Sequence, residues 1–316
     1  MKLDVWGYKL VKNLINANKF SFSKVSQNLD ISRQTLKTKI TLLRDKKIIN
    51  DYTIIINPNL PLNLRYIILE IKTNPKEPEL VKNLLNIPQL KMLDGIFGDF
   101  SLIALFILNS NEEYYKVLTQ IDNIMAKSYF KKYQLIDVIK IFKTNGVCLG
   151  NTDSRKSIEI DEIDYLILNI LQDKQNQNLI STYEIKNLLK KQEGIDLSQS
   201  TIHNRIKKLE NNQIILKYSI NFNPRLIGFR GKYILRIKPK DPSKYDDLAR
   251  KLQKKNEIVD LFRIGEQYGL FAIVRVKRIE DYGNFIKDLY ISEEIEDTFS
   301  NFVLDELKLF SNFIIY

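Results

Sequence analysis

The chain is written twice, and that repeat constrains its fold more than any other feature. The segment 32-SRQTLKTKITLLRDKKIINDYTIIINP-58 aligns without a gap on 198-SQSTIHNRIKKLENNQIILKYSINFNP-224, with identities such as Thr35/Thr201, Ile40/Ile206, Leu43/Leu209, Tyr52/Tyr218 and Pro58/Pro224. The register continues through 68-ILEIK-72 over 234-ILRIK-238, and 3-LDVWGYKLVKNL-14 sits over 160-IDEIDYLILNIL-171 after two short insertions in the second copy. A repeat this long is a whole folded unit used twice. Between the copies, 149-LGNTDSRKSIE-159 is polar and has neither helical nor strand period, so it reads as a linker.

Each copy changes its period partway along. In the first third, Leu36, Ile40 and Leu43 recur at i, i+4 and i+7 after Ser32, a good N-cap residue, as do Ile202, Ile206 and Leu209 after Ser198. Two earlier helical segments precede each stripe, and the alternating runs 52-YTIII-56 and 218-YSINF-222 follow it as a β wing. Three helices and a wing predict a winged helix-turn-helix, whose third helix enters the major groove of DNA. The rest of each copy alternates strand and helix in the order βαββαβ, which predicts a ferredoxin-like antiparallel sheet with both helices on one face. The expected organisation is winged helix 1 over 1–57, βαββαβ unit 1 over 58–148, a linker over 149–160, winged helix 2 over 161–223 and βαββαβ unit 2 over 224–316. The fold class is α+β, with a pseudo-two-fold inside one chain as the two sheets cover each other.

Charge separates the two copies. The chain carries 49 Lys and Arg against 38 Asp and Glu, a net +11. Residues 1–57 hold 11 basic and 4 acidic groups, whereas 161–223 hold 8 of each. An excess of cations invites a polyanion, and phosphate neutralisation makes such binding fall with salt. Arg33, Lys37, Lys39 and Arg44, with Arg205, Lys207 and Lys208, are the phosphate candidates. Gln34 and Asn204 can make paired hydrogen bonds to adenine edges, and Thr38, Ser200 and His203 can touch bases. Lys39 and Arg205 flank the apolar stripes and could instead brace the third helix against the wing. Two unequal DNA-binding heads follow, the first gripping the backbone harder.

At the level of these segments the chain resembles the leucine-responsive / asparagine-synthase regulator (Lrp/AsnC) family of archaeal and bacterial transcription factors. Its opening resembles 160-IDEIDYLILNILQ-172, its recognition helix 198-SQSTIHNRIKKLE-210 and its wing 214-IILKYSINFNPRLIG-228. Copy one matches more loosely, with Gly7 at the second acidic position and Lys39 where copy two has Arg205. Lys47 and Gln213 stand where the family has a glycine before the wing. The resemblance implies a RAM-type βαββαβ domain, a cytoplasmic, nucleoid-associated regulator acting on double-stranded DNA, and homo-oligomers built through regulatory domains. It also implies a small-molecule effector near 98-GDFS-101 and 265-GEQYG-269, with Gly98, Asp99, Gly265 and Glu266 as candidates, although the family's acid is moved or changed here.

The alternative is an enzyme, because siroheme decarboxylases are similar in domain layout. Such chemistry calls for histidine, the usual proton donor near neutral pH. The one histidine, His203, lies outside both βαββαβ units, and Arg230, Arg236, Arg263 and Arg275 read as solvated strand and loop charges. One histidine and one cysteine, Cys148, leave almost nothing for a zinc site or a disulfide, and no phosphate loop or nucleophile elbow is present. No cofactor, no metal, no catalytic residue and no membrane association are expected. The longest apolar runs, such as 101-SLIALFIL-108, fall far short of the ~20 residues of a spanning helix.

Overall fold

A computed structural model describes residues 3–16, 22–59, 64–74, 76–150, 159–173, 180–308 and 311–315. The chain divides into two units interleaved in sequence: Met1–Pro61, Asn151–Gly228 and Phe310–Tyr316 form one, and Leu62–Gly150 with Phe229–Leu309 form the other. The corresponding segments of the two copies therefore associate with each other.

The first unit holds α1 (Val5–Asn16), α2 (Phe22–Asn28), α3 (Arg33–Asp45) and strand β1 (Ile49–Ile56) from copy one. Copy two supplies α6 (Glu162–Asp173), α7 (Thr182–Glu193), α8 (Gln199–Asn211) and β7 (Ile215–Phe222). Capping sets these helices: Ser32, Ser198 and Ser181 each accept a hydrogen bond from the backbone N–H three residues on, and the Glu184 carboxylate accepts from Ser181 N–H to complete a capping box. After α3 and α8, Lys47 and Gln213 adopt left-handed φ values of 54° and 57°. The chain turns there so that Ile48 N–H reaches Leu43 O and Ile214 N–H reaches Leu209 O, at 2.9 Å in both copies. Left-handed backbone disfavours a side chain, which is why a glycine suits this position.

The segments expected as wings are strands, but neither forms its own hairpin. β1 and β7 pair antiparallel with each other, Ile54 opposite Tyr218 and Tyr52 opposite Ile220. A lone strand leaves its backbone groups unpaired, and the equivalent strand of the other copy satisfies them. The chain end also departs from expectation. Residues 224–316 do not form one piece: Ser311 bridges Phe222, the tilted ring of Phe313 lies 4.8 Å from that of Phe222, and Asn16 and Ile315 exchange hydrogen bonds at 2.7 and 3.2 Å, all in the first unit.

The second unit contains β2 (Arg65–Ile71), α4 (Pro78–Leu85), β3 (Leu90–Ile96), β4 (Leu102–Leu108), α5 (Asn111–Ala126), β5 (Tyr133–Thr144) and the short β6 (Val147–Cys148). Copy two adds β8 (Gly231–Pro239), α9 (Tyr245–Leu252), β9 (Ile258–Ile264), β10 (Leu270–Val276), α10 (Glu280–Tyr290) and β11 (Ile295–Glu306). The strand order β2-β4-β3-β11-β8-β10-β9-β5 returns to β2 through the β2–β5 pairing, so eight strands close on themselves. Both seams join the second strand of one copy to the fourth strand of the other. Val303 faces Ile96 and Glu306 faces Asp94 at one seam, and Val138 faces Ile264 and Ile141 faces Phe262 at the other.

Alternation along each strand then sorts the side chains. Ile67, Leu69 and Ile71 of β2 bury under Leu80 and Leu84 of α4 and Val117, Ile121 and Met125 of α5. Leu235 and Ile237 of β8 bury under Leu248 and Leu252 of α9 and Phe285 and Leu289 of α10. The intervening residues Tyr66, Ile68 and Glu70, and Lys232, Ile234 and Arg236, point into the ring and are buried there.

Candidate nucleic-acid interface

The apolar stripe of α3 fixes which side chains face outward. Leu36, Ile40 and Leu43 are buried, leaving Arg33, Gln34, Lys37, Thr38 and Thr41 exposed on the opposite side. No acidic residue lies in the first turn of α3, so its cations add to the partial positive charge of a helix N-terminus. Ser23 of α2, Arg33, Gln34 and Lys37 line an open cleft of about 330 Å³. The Thr38 hydroxyl donates to Gln34 O at 3.1 Å and the Thr41 hydroxyl to Lys37 O at 3.2 Å, which steadies this face. Ser23 escaped the sequence reading, since nothing in α2 alone marks its neighbourhood to α3.

In α8, Ile202, Ile206 and Leu209 are buried and Ser200, His203, Asn204 and Lys207 are exposed. Ser200 lies 2.7 Å, hydroxyl to hydroxyl, from the capping Ser198. The outward positions of the two helices correspond, but their chemistry differs: Gln199, Ser200, His203 and Asn204 stand where the first helix has Arg33, Gln34, Lys37 and Thr38.

The remaining cations lean inward. Lys39 lies 4.0 Å from the ring centroid of Trp6 on α1, and Arg44 lies over Tyr52 while donating to Asn50 O at 3.3 Å. Arg205 donates to Asp161 at 2.7 Å and to the fully buried carboxylate of Asp164 at 2.9 Å, and Lys208 donates to Glu159 O at 2.8 Å and to Asp164 at 3.2 Å. These charges hold α8 to the start of α6. Lys39 and Arg205 thus brace their helices against the first helix of their own copy, in place of the wing. Burial pushes the Asp161 carboxyl up, but the Arg205 hydrogen bond and the neighbouring cations outweigh it and hold the group below the usual range. The acid pair was visible in 160-IDEIDY-165; that it would consume the helix cations was not.

The four effector candidates separate. Arg236 donates to Glu266 at 2.9 Å, to Asn301 at 3.4 Å and to Glu70, and Gln134 donates to Glu70 at 2.5 Å. Gly98 abuts this cluster: its φ of +147° suits glycine, and a Cβ there would meet Asn301 Nδ2 at 3.0 Å. Asp99 and Gly265 are exposed, with Gly265 N–H donating to Asp137 O at 3.0 Å. Burial pushes the Glu266 carboxyl up, opposed by Arg236.

Two of the arginines expected in solvent are buried. Arg236 sits in the cluster just described, and Arg275 forms a two-pronged pair with Glu306 at 3.1 and 2.6 Å beside Lys232 and Asp94. Arg263 is half-buried against Tyr245 at 3.4 Å, and only Arg230 of the four is exposed. A fork of donors can be buried where carboxylates meet it, and here Glu70 of the other copy and Glu266 and Glu306 of the same copy supply them. Cys148 is exposed, its thiol 3.1 Å from Gln253 O. Among the described residues, no helix is long and apolar enough to cross a membrane.

Comparison with known proteins adds to this geometry. The family model described as "Lrp/AsnC ligand binding domain" matches residues 233–312. The HTH-type transcriptional regulator FL11 of Pyrococcus furiosus is 32% identical over 145 residues, covering 46% of this chain and 89% of that one. The HTH-type transcriptional regulator Ptr1 of Methanocaldococcus jannaschii is 33% identical over 129 residues, covering 41% of this chain and 80% of that one. Among solved structures, the siroheme decarboxylase NirDL matches in fold, with a TM-score of 0.61 at 14% identity over 95% of this chain and 91% of that one. From its matched regulators and its ligand-binding-domain segment, the chain belongs to the Lrp/AsnC family.

Proposed function

We propose that this protein is a sequence-reading, DNA-binding transcriptional regulator in which two winged-helix heads and two regulatory βαββαβ units of one polypeptide take the places of two subunits. The observation that carries this reading is the outer face of α3, where Arg33, Gln34, Lys37 and Thr38 stand exposed over a buried apolar stripe. Arg33 and Lys37 would neutralise phosphates while Gln34 and Thr38 reach base edges. His203, Asn204 and Lys207 would do the corresponding work from α8, with less charge. The equivalent registers of the two seams and the β1–β7 pairing support the one-chain pairing. Two different heads imply an asymmetric site with half-sites about one helical turn apart. The regulator acts in the cytoplasm on the nucleoid, and further assembly would run through the regulatory units. A small effector at Gly98 and Glu266 would have to compete with the carboxylates already on Arg236.

Selection of bound duplexes from a random pool, followed by titration at several salt concentrations, tests this reading. Enrichment of one asymmetric sequence, with affinity falling steeply with salt, is expected; no enrichment and no duplex binding at low salt would overturn it. The fold match to NirDL favours a second, tetrapyrrole-enzyme reading. Against it stands the one histidine, exposed on α8. Absorbance changes on adding an iron uroporphyrin would support that second reading, and an unchanged spectrum would remove it.

A further inference from the structure

We infer that the two βαββαβ units are charge-keyed to each other: the buried inner face of the first accepts the inner face of the second and rejects a like copy of itself. This rests on the intrachain pairing proposed above and names what enforces it.

The argument starts from equivalent positions. In 65-RYIILEIK-72 over 231-GKYILRIK-238, Glu70 matches Arg236 and Tyr66 matches Lys232; in 90-LKMLDGI-96 over 258-IVDLFRI-264, Asp94 matches Phe262. Inside the ring, equivalent residues meet each other across the two copies. Glu70 pairs with Arg236, both buried. Lys232 pairs with Asp94 at 2.6 Å, with side chains 6% and 1% exposed. The counterpart of that pair, with the copies exchanged, is Tyr66 against Phe262, ring edge to ring face at 6.1 Å. One contact is ionic, and its mirror contact is aromatic.

A like-with-like assembly fails at each of these places. Two first units would set Glu70 against Glu70 and each Asp94 against Tyr66. Two second units would set Arg236 against Arg236 and each Lys232 against Phe262. Two first units would bury Glu70 and Asp94 without a cation, whereas two second units would press Arg236 on Arg236 with only Glu266 and Glu306 of their own unit to share among Arg236, Lys232 and Arg275; burying unpaired or like charge is far more costly than burying a matched pair. The unlike arrangement satisfies all of them, so complementarity and rejection come from the same residues. A repeat bound to identical copies of itself could not carry opposite charges at one position. The partner these faces fit is therefore the other half of such a chain, and not a second copy of the same half.

A charge-reversal cycle in the full chain tests this. Glu266→Gln is used throughout, so that position 236 tolerates either sign; Gln134 can turn its amide toward either sign. In that background Glu70→Arg and Arg236→Glu should each lower the Tm by about 10 °C, and the combination should recover at least half of the loss. If the single variants are insoluble, recovery of cooperatively unfolding protein by the combination gives the same support. A combination as unstable as the sum of the singles, or as insoluble, overturns the key. The pairing itself is tested separately by Gly95→Cys with Asp305→Cys in a Cys148→Ser background. A Cβ at 95 would lie 3.7 Å from the Asp305 Cβ, within disulfide reach. A cross-link within single chains supports intrachain pairing. Its absence, or cross-linking only between chains, sinks the pairing and the key together. A cross-link without recovery in the charge cycle sinks the key alone.

Discussion

The third helices α3 and α8 share a backbone plan and divide their charges differently. Both begin at a capping serine, bury three apolar residues at the same spacing and end in a left-handed residue. In the first head Gly7 occupies the position of Asp164, and Lys39 rests on Trp6. In the second, Arg205 and Lys208 are held by Asp161 and Asp164. The same cations can serve internal stability or an external polyanion, and the nearest carboxylates decide which.

The largest expected effect concerns DNA. Arg33→Ala with Lys37→Ala should weaken duplex binding at least ~10-fold and reduce the salt slope by about 2, whereas His203→Ala with Lys207→Ala should cost a few-fold and reduce it by about 1. Equal losses at fixed salt would break the distinction between the heads. Next comes stability. Arg205→Ala leaves the buried Asp164 with Lys208 and should cost about 2 kcal/mol in denaturant unfolding, discounted because Arg205 is partly exposed. Lys39→Ala removes a cation from one ring face and should cost about 0.5–1 kcal/mol.

Acid sharpens the same contrast. Asp161 is held below its usual range in the folded state, so its contribution is present above the unfolded carboxyl pKa, about 3.9, and is lost as pH falls through the lower folded value. An acid titration of Arg205→Ala should show a shallower loss of stability in that window than the parent. The smallest effect is one on which the heads should agree. Lys47→Gly and Gln213→Gly relieve left-handed backbone and should each stabilise by up to about 1 kcal/mol. Opposite signs at the two positions would show that the turns differ.

Local order was legible in the sequence, and partnership was not. Leu36, Ile40 and Leu43 announce a buried stripe by their spacing, and the outward set on α3 follows by elimination of that face. The βαββαβ order is equally plain, because each strand and helix carries its own period. Nothing periodic says that β1 pairs with β7, that β11 closes on β3, or that residues 311–315 return to Phe222; those are long-range choices settled by unpaired backbone and unburied surface. Arg236 and Arg275 were misread for the same reason. A lone charge in an apolar strand looks solvated until the other copy supplies Glu70 and the last strand of its own copy supplies Glu306. Comparing ILEIK with ILRIK held the clue, since opposite charges stand at one position of the repeat.

Footprinting of a selected duplex with the parent chain and with Arg33→Ala plus Lys37→Ala tests the central claim most directly. The account predicts two protected stretches about one helical turn apart, unequal in strength, with the double substitution erasing the stronger one first. Two equal stretches on a palindrome that fade together, or no protection at all, would contradict it.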